Sequence, residues 1–199
     1  MGSLGGVPRA GSQTAAWGAG LLGWNIKWVV GYPGTNELML ALDRGEVDMT
    51  STANLFLVQQ FLASGKFKIL VQTGIVRNGK VVQRADYGDA PLMANLVESK
   101  ITDPLVRQAY EYWSSNTALD KWIAVPPKTP DAYVRAYRQA YQHAFTDPAF
   151  AETGKQISDD LEPMAWEDVE LLMKKLGSTP PAAISFITDM LRKQGLETD

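Results

Sequence analysis

Between residues 25 and 73 the hydrophobic positions change twice from a strand-like to a helical spacing. Asn25 to Val30 alternates loosely and carries Ile26, Trp28, Val29 and Val30, the side-chain types of a strand. After the turn Gly31-Tyr32-Pro33-Gly34, the spacing over Asn36 to Asp43 predicts a helix. A second strand is predicted over Val47 to Thr50. Ala53 to Ala63 returns to helical spacing through Leu55, Phe56, Val58, Phe61 and Leu62, and Gly65 stops it. Phe67 to Thr73 is a third apolar strand. This order predicts a βαβαβ unit with parallel strands and right-handed crossovers.

The flanking pattern is mostly helical. Ser12 or Thr14 can cap a helix from Gln13 to about Leu22, closed by Gly23. Residues 74–91 read as a loop with a hairpin turn at Asn78-Gly79. Helices are predicted from Pro91 to Ser99 and from Asp103-Pro104 to Ser114. A strand, Lys121 to Val125, precedes Pro126-Pro127. The start signal Thr129-Pro130-Asp131 opens a helix to about Phe145. A short helix follows Asp147-Pro148, and Trp166 to Leu176 and Pro181 to Arg192 are helical to the end.

Composition narrows the function classes. The chain has 199 residues, 45% hydrophobic and 21% charged, enough for a sizeable core. Its net charge of −3 speaks against nucleic acid as a partner. No apolar run reaches the roughly 20 residues that span a bilayer, so direct membrane insertion is not expected. The absence of cysteine excludes disulfides, thiolate metal sites and cysteine nucleophiles. The first residues, Met1 to Arg9, lack the basic start and apolar stretch of a signal peptide.

Candidate chemistry is sparse. A glycine-containing helix start at the carboxyl end of a strand suits a small ligand, especially an anion. His143 is the lone histidine, near a helix end, and reads as solvated rather than as a base. Asp159, Asp160 and Glu162 form an acidic cluster of a solvated loop. No Gly-x-Ser-x-Gly elbow or metal-ligand spacing is present, so no catalytic or metal residue is expected. The six tryptophans read as core or interface residues.

Gly31-Tyr32-Pro33-Gly34-Thr35-Asn36-Glu37, followed by Ala41-Leu42-Asp43-Arg44-Gly45-Glu46-Val47-Asp48, resembles the mid-chain segment of tripartite tricarboxylate transporter substrate-binding proteins, the Bug-type receptors. Ala63 to Leu70, Trp122 to Pro130 and Asp147 to Phe150 extend the resemblance in the same order. It implies an α/β, type II periplasmic-binding-protein-like fold, comprising the second lobe and the C-terminal return of the first. Residues 1–120 would form the ligand-binding lobe. Residues 121–199 would be the mostly helical part of the other lobe, whose N-terminal part, with the signal peptide, would be missing. The implied function is capture of a small carboxylate, without cofactor or catalysis, in the periplasm for membrane transporter subunits. The implied ligand-binding positions are Gly11, Ser12 and Thr14 at the first helix start. Tyr32, Gly34, Thr35 and Asn36 belong to the second, and Ser51, Thr52 and Asn54 to the third. Read from the residues alone, these are ordinary caps and turn formers. The Met49-Thr50-Ser51-Thr52 run departs from the family pattern and leaves the ligand open. With a lobe missing, apolar surface near Trp122 to Val125 would be exposed.

Two other readings stand beside this one. The Gly31 to Thr35 turn with Glu37 also resembles thiamine-diphosphate enzymes. Their Gly-Asp-Gly metal motif is matched only by Gly88-Asp89-Ala90. The third reading is a remnant that binds nothing.

Overall fold

The computed structural model describes residues 1–8, 10–77, 80–117, 122–157 and 163–198. Helices dominate. They are α1 (Ala10–Leu22), α2 (Thr35–Asp43), α3 (Leu55–Ala63), α4 (Met93–Glu98), α5 (Pro104–Thr117), α6 (Asp131–Thr146), α7 (Pro148–Ile157), α8 (Trp166–Gly177) and α9 (Pro181–Arg192). Among the described residues the only strand ladder is an antiparallel hairpin, β1 (Ile75–Arg77) with β2 (Lys80–Val82), in a register that pairs Arg77 with Lys80. The turn predicted at Asn78-Gly79 falls between the two strands, and those two residues lie outside the described set. The acidic cluster Asp159, Asp160 and Glu162 also lies outside it.

The expected α/β, type II periplasmic-binding-protein fold is not what the chain adopts: among the described residues it is mostly helical and has no parallel sheet. The segments predicted as strands at 25–30, 47–50 and 67–73 form no ladder, and of the strand expected over Lys121 to Val125, Lys121 lies outside the described residues and residues 122–125 carry no strand. What remains of parallel pairing is two isolated bridges, Gly2 with Val29 and Gln72 with Leu92. The physical reason is burial. A parallel sheet persists when helices cover both faces, whereas Val29, Val30 and Leu70 are exposed. The backbone of 27–29 is satisfied instead by the N-terminal segment. The Met1 amino group donates to the Lys27 carbonyl at 2.9 Å and Val29 N–H to the Met1 carbonyl at 2.9 Å. Ser3 N–H donates to the Val29 carbonyl, and Gly2 N–H reaches across to the Met49 carbonyl. Gly2 permits this insertion because a side chain there would collide with Leu38 and Val47.

The chain divides into two compact units, Met1–Ala118 with Thr179–Asp199, and Leu119–Ser178. In the first, α1, α4, α5 and α9 enclose a core of Trp17, Met93, Val97, Ile101, Trp113, Ile187 and Met190. Trp17 is fully buried, edge-on to Tyr110 at 5.2 Å between ring centroids and tilted against Trp113 at 5.9 Å. A smaller cluster of Leu38, Ala41, Leu42 and Val47 seats α2, with Leu4, Tyr32 and Phe67 packed on it. The second unit holds α6, α7 and α8. Aromatic contacts run from Tyr141 through Phe145 to Phe150, yet neither α6 nor α8 contains a buried residue.

Candidate functional site

Of the three helix starts that the resemblance assigns to a ligand, each is occupied differently, and the difference sets one of them apart. A helix N-terminus presents amide hydrogens without intrahelical partners, together with the positive end of the helix dipole. At α3 the Asn54 side chain accepts from Leu57 N–H at 3.2 Å, and Asn54 N–H donates to the Thr52 hydroxyl at 3.0 Å. Asn54 and Thr52 therefore act as a cap that satisfies their own helix. At α2 the cap residue Gly34 makes no side-chain cap bond, and the Glu37 carboxylate fills the space that a side chain on Gly34 would take. The chain thus supplies its own anion to α2, in the position of a capping-box glutamate.

The start of α1 differs from both. Its first turn holds no acidic residue. The Ser12 hydroxyl is 3.3 Å from the Ser51 hydroxyl, although 39 residues separate them. Ser12 is only 8% exposed, Ser51 is half-buried, and Gly11 beside them is exposed. A side chain on Gly11 would meet the Ser51 hydroxyl at 3.0 Å, so glycine keeps the first-turn backbone open at this point. The neighbouring strand-like residues are pinned: Thr50 Oγ1 donates to the Gly2 carbonyl at 3.4 Å, next to the Gly2–Met49 bond. Gln13 Nε2 donates to the Pro8 carbonyl at 3.0 Å and fixes the chain entering α1.

Gly11 and Ser12 of the first helix start therefore meet Ser51 ahead of the third. Thr14, two residues along α1 from Ser12, is buried. Gly34 is half-buried and Thr35 and Asn36 are exposed. Among the described residues no hydrogen bond links any of these three to Ser12 or Ser51. Tyr32 packs against the α2 cluster, and its N–H donates to the Ser3 carbonyl at 3.4 Å.

No family model, curated protein or solved structure matches the chain. Its chemistry rests on its own geometry.

A second polar centre lies in 74–91, which the hydrophobic pattern marks only as a loop. Gln72 is buried and holds that loop shut: its Nε2 donates to the Ala90 carbonyl, and its Oε1 accepts from Arg84 N–H, both at 2.8 Å. Gln83 Nε2 also donates to the Ala90 carbonyl at 2.9 Å. The buried Arg84 guanidinium pairs with Asp86 at 2.9 Å and lies 4.7 Å from the centre of the Tyr87 ring. Burial raises the Tyr87 phenol above its ordinary range, with Arg84 opposing and Asp86 reinforcing that shift. These bonds close the loop upon itself. The only sequence signal is a Gln-Arg pair after two valines, too short to stand out.

Among the described residues no cluster of three or more His, Asp or Glu side chains could hold a metal ion, and no helix is long and apolar enough to cross a membrane. His143 is exposed in the last turn of α6.

Proposed function

We propose that the chain is a binding protein for a small carboxylate, without catalytic chemistry, and that the carboxylate sits at the start of α1. The observation that carries this reading is the Ser12–Ser51 hydroxyl pair beside Gly11, at a helix start with no acidic residue of its own. One of the two hydroxyls donates to the other at 3.3 Å; giving up that bond lets both hydrogens turn to one carboxylate, while first-turn amides and the helix dipole favour its charge. The starts of α2 and α3 are supplied by Glu37 and Asn54, so they compete poorly for an added anion. The resemblance of 31–48 and 122–130 to the tripartite tricarboxylate receptors supports a setting in the periplasm, with transporter subunits as partners.

The test is a thermal-shift and calorimetric screen of di- and tricarboxylates on the wild-type chain and on a Ser12→Ala, Ser51→Ala double variant. The expected result is a rise in melting temperature with at least one carboxylate, lost in the double variant while the ligand-free variant still melts cooperatively. Thiamine diphosphate with Mg²⁺ is the control arm for the rival enzyme reading and is expected to leave the transition unmoved. No response to any carboxylate, or an equal response in the double variant, overturns the proposal.

A further inference from the structure

The outer face of α8 carries a self-complementary pattern. Its first turn is acidic, Glu167 and Asp168, and its last turn basic, Lys174 and Lys175. Between them Leu171 is 69% exposed. Helical geometry puts residues three and four before and after Leu171 on the same side of the helix, so all five share one exposed face. One flank of α8 is engaged with α6: Trp166 lies under the Arg138 guanidinium, and the exposed Glu170 pairs with Arg138 at 2.7 Å. Acids at the start and lysines at the end also suit the dipole of α8 itself. The dipole accounts for the charges but not for a leucine in water at their centre.

We infer that this face docks a second copy of the same chain, α8 against α8, antiparallel about a twofold axis at Leu171. In that register Glu167 and Asp168 of one copy stand at the height of Lys175 and Lys174 of the other, on both sides of the axis, and the two leucines meet between them. A parallel pairing would set like charges against each other, so charge alone selects the antiparallel arrangement. The lack of any buried residue in α6 or α8 gives this unit a further reason to gain apolar cover from a partner. One helix pair lies below the roughly 1,200 Å² of a stable interface, so association is weak and reversible, with a dissociation constant on the order of 0.1–1 mM.

The absence of native cysteine makes the test direct. Leu171→Cys is oxidised at about 100 µM protein beside a control, Gln139→Cys, on the exposed surface of α6. The expected result is a disulfide-linked dimer formed at least about tenfold faster from Leu171→Cys, slowed by high salt. Adding Lys174→Glu and Lys175→Glu abolishes this preference, and adding Glu167→Lys and Asp168→Lys to those restores it. Restoration separates docking from mere helix stability, because the fully reversed helix opposes its own dipole. Equal rates at positions 171 and 139, or cross-linking indifferent to charge reversal, overturn the inference.

Discussion

The ring of Trp24 lies where a side chain on Gly18 would begin, and Trp24 N–H donates to the Gly18 carbonyl at 3.3 Å. Gly18 is in the middle of α1, where alanine ordinarily improves a helix by roughly 0.5–1 kcal/mol. Here the contact reverses that preference. The ring turns the chain back over α1 immediately after Gly23, and an added methyl would have to push it away. Gly18→Ala is expected to destabilise the first unit by about 1–2 kcal/mol, the overpacking cost less the helix gain. Urea unfolding checks this, and a variant as stable as the wild type would show that the ring yields without cost.

Trp17 joins three aromatic neighbours, Tyr110, Trp113 and Phe186, at the centre of the larger core. Its truncation to alanine is expected to cost about 3–5 kcal/mol. The Trp17 indole N–H is buried and finds no acceptor among the described residues. Trp17→Phe discards that unsatisfied donor along with part of the ring, so it is expected to cost less than half as much as Trp17→Ala. Chemical denaturation of the two variants together decides it, and a Trp17→Phe loss close to that of Trp17→Ala would show that shedding the N–H returns nothing and that the core does not close around the smaller ring.

How much of this is legible in the sequence follows from how local each signal is. Helix starts and stops depend on a few adjacent residues. Thr129-Pro130-Asp131 indeed opens α6 at Asp131, Pro181 opens α9, and the glycines after Leu22 and Ser64 follow the ends of α1 and α3. Strands depend on partners far away. The apolar pattern of 25–30 reports an extended segment but cannot say that Met1 to Ser3 will take its hydrogen bonds, or that its faces will stay half open. The expected fold class breaks down at that step. At the site, Ser12 and Ser51 stand 39 residues apart, and only the resemblance places them in one set. The blocking of α2 by Glu37 is readable in principle, since a glutamate three residues after the cap is the capping-box position. The same glutamate also completes the family-like motif, and that second meaning hides the first.

Among the described residues, Arg138 of α6 makes a polar tie to α8. Its guanidinium carbon is 3.5 Å from the centre of the Trp166 ring and its Nη2 is 2.7 Å from Glu170. Both ion-pair partners are substantially exposed, which limits the pair to less than about 1 kcal/mol, and stacking adds roughly 0.5–1 kcal/mol. Arg138→Ala is expected to cost about 1 kcal/mol. Arg138→Lys keeps the charge but loses the planar stack, and is expected to recover only about half of that. Amide exchange of α6 and α8 provides the readout. Full recovery by lysine would show that charge alone matters.

Tyr110 gives the protein a defined alkaline weakness. Burial, reinforced by the charge of Glu98, pushes its phenol from 10.0 up to about 12. The folded state therefore holds the proton more tightly than the unfolded chain does. The resulting stabilisation is complete below pH 10, where both states are protonated. It fades as pH rises from about 10 to 12, because the unfolded phenol ionises first. For a partly solvated phenol, and discounted for screening, this difference in proton affinity corresponds to about 1–2 kcal/mol. Tyr110→Phe has no proton to lose, so its stability is expected to fall less steeply than that of the wild type across this range, while other groups titrate equally in both. Urea midpoints measured at about pH 9 and pH 11 in the two proteins test the claim. Parallel curves would show that the Tyr110 phenol titrates alike in the folded and unfolded states.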